Sequence, residues 1–145
     1  MSKPKLYLAH PGPDRHWVRE LELQMEKELN IELINPFYDR TERNDIKKID
    51  AGKMSLYSGR LDAKGIVEGD LAAVREAEGV LAFLTESLLL GTAMEIFFNA
   101  YVLHKPTYLI ISRKEWTHHP WLEYLATKRF NSVDEFKAYW RRKHK

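Results

Sequence analysis

The chain contains no cysteine. That absence excludes a disulfide framework, a thiol nucleophile and thiolate metal ligation, and it fits a reducing, cytoplasmic setting. No stretch reaches the roughly 18 apolar residues of a membrane span, and the N-terminus lacks the apolar core of a signal peptide. No sign of charge dominates either: 23 Lys and Arg stand against 21 Asp and Glu, a formal net charge of +2. The charges are evenly spread, which argues against a nucleic-acid polymer or a membrane as partner. The one dense basic run, Arg141-Arg142-Lys143-His144-Lys145, reads as a solvated helix end.

What is there describes an ordinary globular chain. At 145 residues, 44% hydrophobic and 30% charged, residues 1–145 make about one domain with a good core. No internal repeat or linker divides it. Lys5–Ala9 reads as a short buried strand, stopped by His10-Pro11-Gly12-Pro13, whose prolines and glycine exclude regular structure. Asp14 can cap a helix that carries Trp17, Leu21, Met25 and Leu29 at near-helical spacing. Residues 31–34 form a second strand, left by the turn Asn35-Pro36-Phe37-Tyr38. From residue 39 to about 61 the pattern weakens to a long loop, with one helical turn expected at 46–49. A helix over 66–77 places Val67, Leu71 and Val74 on one face, with Asp70 near its middle.

Gly79–Leu84 is continuously apolar, the mark of a strand buried on both faces. A helix over 92–104 follows, with Ala93, Ile96, Phe97, Ala100, Tyr101 and His104 on one stripe. Residues 106–111 give a fourth strand and Arg129-Phe130 a brief fifth, with a short helix over 121–127 between them. Ser132-x-x-Glu135 opens a last helix, with Phe136, Tyr139 and Trp140 on its core side. Strands alternating with helices imply βαβ units and a parallel sheet. Right-handed crossovers favour an α/β, doubly wound, flavodoxin-like order of 2-1-3-4-5.

The segment Leu89-Leu90-Gly91-Thr92-Ala93-Met94-Glu95 is the one around which function turns. Glu95 is its only charge, one turn into an apolar helix, and an unpaired buried carboxylate is costly. Two readings stand side by side. Thr92-x-x-Glu95 matches a capping box, and a carboxylate suits the helix's positive end. Alternatively Glu95 belongs to a site beyond the carboxyl ends of the strands, where such sheets bind ligands. Tyr7 on the first strand and Asp70 on the helix before the third come to the same rim by topology. Two carboxylates and a phenol suit chemistry at an anomeric carbon. Gly91 lets a ligand approach the backbone, and the helix N-terminus beside it offers N–H groups to an anion or hydroxyl. His10, in a Pro/Gly loop, is a further candidate. Arg15, Arg60 and Ser87 are candidates for a phosphate. His118-His119 lack a third ligand, so no metal site is expected. Trp116 and Trp121 suit packing against the sheet or a partner subunit.

Four pieces in order carry a resemblance: Lys5-Leu6-Tyr7-Leu8-Ala9-His10-Pro11, Asn35-Pro36-Phe37, Asp70 with Glu76-Ala77-Glu78-Gly79-Val80-Leu81-Ala82, and Gly91-Thr92-Ala93-Met94-Glu95-Ile96 with Lys105-Pro106. From residue 5 to about 111 the chain resembles the nucleoside 2-deoxyribosyltransferases. The resemblance implies that Glu95 is the nucleophile taking a deoxyribosyl group, that Tyr7 orients it, and that Asp70 contacts base or sugar. It implies substrate contacts from His10, Pro11, Asn35, Phe37, Ser87, Gly91, Thr92 and His119. The substrates would be deoxynucleosides or deoxynucleotides with free nucleobases. No cofactor would be needed, and a homo-oligomer would share its active sites, closed by a neighbour's segment near residues 118–121. Three positions depart from the family's pattern. Leu89 stands where the family often has an Asp that helps bind and protonate the base, Phe97 where it has Gly, and Glu78 where it has Asp. A cousin group that hydrolyses deoxynucleoside 5′-monophosphates resembles the chain in the same places. Transferase, hydrolase and a non-catalytic nucleotide-binding module on the same fold are therefore the three expectations.

Overall fold

The computed structural model of the protein describes residues 3–36, 63–87 and 89–144. The expected loop at 39–61, its turn at 46–49 and Phe37 lie outside the described residues. The rest form a five-stranded, all-parallel sheet in the order β2-β1-β3-β4-β5. Its strands are β1 (Lys5–Ala9), β2 (Glu32–Ile34), β3 (Gly79–Leu84), β4 (Thr107–Ile111) and β5 (Lys128–Phe130). The helices are α1 (Arg15–Leu29), α2 (Ala63–Glu76), α3 (Leu90–Phe97), α4 (Pro120–Leu125) and α5 (Val133–Lys143). This is the flavodoxin-like order expected from the βα alternation.

The period of two along each strand divides the core into two layers. Leu6, Leu8, Leu81, Phe83, Tyr108 and Ile110 face α1 and α5. Tyr7, Ala9, Val80, Ala82, Leu84, Leu109 and Ile111 face α2, α3 and α4. The central strands β3 and β4 are buried throughout, as their unbroken apolar runs require. Glycine opens β3 for a steric reason: a Cβ at Gly79 would sit 2.6 Å from the Pro106 carbonyl oxygen. Ser132 Oγ accepts the Glu135 N–H at 3.2 Å and caps α5 as expected.

Several local expectations are corrected. The His10–Pro13 stop contains regular structure after all, a single 3-10 turn at Gly12–Asp14. On α1 the buried stripe is Val18, Glu22, Met25 and Leu29, with Arg19 beside it, while Trp17 is exposed. Glu22 and Arg19 enter the interior because they pair with each other at 2.5 Å. On α2 only Val74 of the expected face is buried, and Val67 is exposed. The helix carrying Glu95 starts at Leu90, two residues early, and ends at Phe97 in a π turn over Phe98–Val102. Thr92, Ile96 and Asn99, at ordinary helical spacing, face the sheet. Phe97 and Tyr101, expected on the buried stripe, are exposed. Among the described residues no helix is long and apolar enough to cross a membrane.

Candidate active site

The sheet's direction of winding reverses between β1 and β3, so the connections leaving their carboxyl ends diverge to opposite faces and open a crevice. Tyr7 lies on β1 below that crevice, with none of its surface exposed. Its strand position sends the ring to the α2–α3 face, among Val74, Val80 and Ile96. Glu95 projects from the sheet side of α3, between the buried turns at Thr92 and Ile96. There the Tyr7 hydroxyl donates a hydrogen bond to Glu95 Oε2. Two residues 88 positions apart are thus joined by the strand period and the helix register together.

The start of α3 bears on the capping reading of Glu95. Leu89 occupies the N-cap position of α3 and no side chain caps it. Thr92 is therefore inside the first turn, and the Thr92–Glu95 capping box does not form. The helix starts early because Leu90 and Gly91 continue the turn upstream of Thr92. The first-turn N–H groups, with no preceding turn to bond, face outward from the helix start. Gly91 is exposed there, and a Cβ built on it meets no atom within 4 Å. Among the described residues nothing requires glycine at that position.

Asp70 stands half-buried on α2, the helix on the other side of Tyr7. Lys105 Nζ donates to the Arg75 and Ala77 carbonyls at 2.6 and 2.7 Å, and the Arg75 guanidinium lies 5.3 Å from the Phe98 ring centre. Those contacts tie the end of α2 to the turn after α3 and fix the two carboxylate-bearing helices relative to each other.

A second group joins β1 to β2. Asn35 gives its amide N–H to Glu22 Oε1 at 2.7 Å, and Glu22 holds Arg19. The Asn35 carbonyl oxygen is then turned to His10 Nε2 at 3.3 Å, while His10 Nδ1 faces the Pro11 carbonyl at 2.9 Å. Burial raises the Glu22 carboxyl above its ordinary pKa, an effect partly offset by the bonds from Asn35 and Arg19. The expected site residues His10, Pro11 and Asn35 are thus brought together and are all buried.

A third group joins β1 to β3. Asp14, expected as a cap for α1, makes no capping bond. Its carboxylate instead accepts Thr85 Oγ1–H at 2.6 Å, Ser87 Oγ–H at 2.9 Å and Trp17 Nε1–H at 3.2 Å. Ser87 N–H donates to Thr85 Oγ1 at 3.1 Å. Sequence reading did not anticipate that Asp14 bonds Thr85 and Ser87, or that Arg19 and Glu22 pair next to Asn35. A charged pair three residues apart on the Val18–Met25–Leu29 stripe was the available signal for the latter two.

His119 lies apart from these groups. Its Nδ1 accepts the Trp121 N–H at 3.3 Å and caps α4. It borders an apolar groove of about 420 Å³ with Ala93, Met94, Phe97, Trp116 and Trp121. Among the described residues no cluster of three or more His, Asp or Glu could hold a metal ion.

No protein-family model matches the chain, and no curated protein matches it. Solved structures do. A 2-deoxyribosyltransferase from the psychrotolerant bacterium Bacillus psychrosaccharolyticus superimposes with a TM-score of 0.68 at 18% identity, over 92% of this chain and 90% of that one. A conserved protein from Enterococcus faecalis V583 gives a TM-score of 0.68 at 17% identity, over 97% and 99%. At such identities the likeness shows a shared fold.

Proposed function

We propose that this chain is an enzyme of the nucleoside 2-deoxyribosyltransferase type, acting on the N-glycosidic bond of 2′-deoxynucleosides. The observation that carries the reading is the Tyr7–Glu95 hydrogen bond at the switch-point crevice. A buried phenol that donates to a carboxylate fixes the orientation of that carboxylate at the crevice. The shared fold with a 2-deoxyribosyltransferase supports the same reading.

The reaction proceeds by two displacements with retention. A Glu95 oxygen bonds to C1′ as the C1′–N bond breaks, and the base leaves with the bonding electrons and takes up a proton. A ring nitrogen of a second base then attacks C1′, the ester to Glu95 breaks, and that base loses its proton. Tyr7 orients the carboxylate, and Asp70 contacts base or sugar. His10, Pro11, Asn35, Phe37, Ser87, Gly91, Thr92 and His119 serve substrate binding. Neither displacement requires a cofactor.

The active form is a homo-oligomer. Leu90, Met94, Phe97 and Tyr101 of the Glu95 helix and its π turn, with Trp121 and Tyr124 of α4, are all exposed. Apolar patches of this kind on soluble proteins mark interfaces. Light scattering tests this directly, and a monomer at micromolar concentration would remove this part of the proposal.

The activity is tested by chromatography of the protein with a deoxynucleoside, with and without a free acceptor base, beside Glu95→Gln. A new nucleoside that requires both acceptor and Glu95 supports the transferase. Free base without acceptor identifies a hydrolase. No product from a folded protein returns the chain to a nucleotide-binding module.

A further inference from the structure

Asn99, in the π turn that continues the Glu95 helix, has none of its surface exposed. It stands four residues after Glu95, so the two share one face of the helix, about 6 Å apart along its axis. We infer that Asn99 is a positioning residue: its amide fixes α3 against the start of β4 and so sets the height at which Glu95 meets Tyr7. This rests on the proposed role of Glu95 and adds the residue that places it.

The amide is aimed by its surroundings. Its Nδ2 donates toward the Lys105 carbonyl at 3.3 Å, the Pro106 carbonyl at 3.0 Å and Thr107 Oγ1 at 2.9 Å. The two carbonyls can only accept, and Thr107 spends its one hydroxyl hydrogen on the Lys105 carbonyl at 3.1 Å. All three neighbours therefore call for a donor, which fixes the way the amide points. Its other end, Oδ1, is buried and has no partner among the described residues. An unmet buried acceptor is a cost to the fold, and a side chain needed only to fill space would avoid it. The N–H groups are what this position supplies.

Those bonds reach the sheet. The Pro106 carbonyl also takes the Val80 N–H of β3 at 3.0 Å, and Thr107, which opens β4, gives its N–H to Thr127 Oγ1 at 2.9 Å. His104 takes a φ of 54°, in the left-handed region, and the Lys105 N–H returns to the Asn99 carbonyl at 3.0 Å. Asn99 is thus bound to residues 105–107 through both its side chain and its main chain. At the other end of α3 the N-cap position, Leu89, carries no side-chain bond. The side-chain anchor of this helix therefore lies beyond Glu95 and not at its cap. Tyr7 moves with the sheet and Glu95 with α3, so a slide of α3 along its axis would separate the hydroxyl from the carboxylate. Lys105 extends the anchor to the Arg75 and Ala77 carbonyls at the end of α2, the helix that carries Asp70.

The test is a double-mutant cycle of Asn99→Leu and Tyr7→Phe, read by turnover of a deoxynucleoside with acceptor base and by thermal melting. Leu keeps the branching at Cγ and removes the amide's donors together with its unmet acceptor. The Pro106 and Lys105 carbonyls keep their other donors, so the variant should fold. Asn99→Ala is run beside it and should behave alike. In the wild-type background Asn99→Leu should lower kcat about tenfold and leave KM within about twofold. In the Tyr7→Phe background the bond is already gone, and the same substitution should lower kcat by less than about threefold, since coupled changes do not add. Melting reads the same coupling without turnover: the Tm loss caused by Tyr7→Phe should shrink to about half or less once Asn99 is Leu. Equal Tm losses from Tyr7→Phe in both backgrounds, a wild-type kcat in Asn99→Leu, or unfolding of both Asn99 variants overturns the inference. Coupled melting with no turnover in any protein would overturn the catalytic reading and leave the placing of Glu95 by Asn99 standing.

Discussion

Replacing Tyr7 by Phe removes a single oxygen from the centre of the proposed site. The ring is fully buried among Val74, Val80 and Ile96, and Phe keeps all of that packing, so no cavity term enters. What is lost is the hydroxyl's bond to Glu95. A hydrogen bond to a charged group contributes about 1.5–3 kcal/mol. Glu95 is half-buried, so water can replace part of the bond and the lower end, about 1.5 kcal/mol, applies. For a chain of this length about 1 kcal/mol moves Tm by about 3 °C, so Tyr7→Phe should melt about 4–5 °C lower. If the same bond holds Glu95 in its attacking geometry, kcat should fall about 10–100-fold with KM little changed. Calorimetry and steady-state kinetics on one preparation read both numbers. A Tm drop with unchanged kcat would show that the bond stabilises the fold and does not orient the nucleophile. An unchanged Tm would falsify the bond itself.

Three further outcomes follow from the geometry. Gly91→Ala has free space for its methyl group and should raise stability by about 0.5 kcal/mol, while KM rises if a ligand approaches that backbone; an unchanged KM removes Gly91 from the site. Gly79→Ala drives a Cβ into the Pro106 carbonyl and should cost about 1–3 kcal/mol in chemical denaturation, and a neutral result would contradict the close approach of β3 and β4. Burial raises the Glu22 pKa above the ordinary 4.5, so its contribution to stability is full below that value and is lost as pH rises through the folded pKa. The Tm of Glu22→Gln relative to wild type should therefore climb between pH 4.5 and neutrality; a fall would mean that Arg19 outweighs the cost of burial.

The sheet was legible because β3 and β4 are continuous apolar runs, and their alternation with helices left little freedom of order. The meeting of Tyr7 and Glu95 was legible through topology, which brings the first strand and the helix after the third strand to one rim. The side chains around them were less so. Thr92-x-x-Glu95 has the spacing of a capping box, and only the helix start at Leu90 shows that the motif is unused. Asp14 likewise has the position of a cap for α1, but the acceptor demand of Thr85 and Ser87, more than 70 residues away, takes its carboxylate. The stripe on α1 was misjudged because apolarity was counted, and Glu22 is buried by pairing with Arg19 and Asn35. The face of α3 was misjudged because apolar residues stand on more than one side of it: the polar Thr92 and Asn99 are buried with Ile96, while Phe97 and Tyr101 are exposed.

The covalent step through Glu95 is the centre of the functional reading. Intact-mass measurement of protein quenched in acid after incubation with a deoxynucleoside, without acceptor base, tests it most directly. The proposed mechanism predicts a species heavier by one deoxyribosyl group, located on the peptide containing Glu95 and absent from Glu95→Gln. A protein that forms product while no such species appears, or whose Glu95→Gln variant forms product at the same rate, would contradict it.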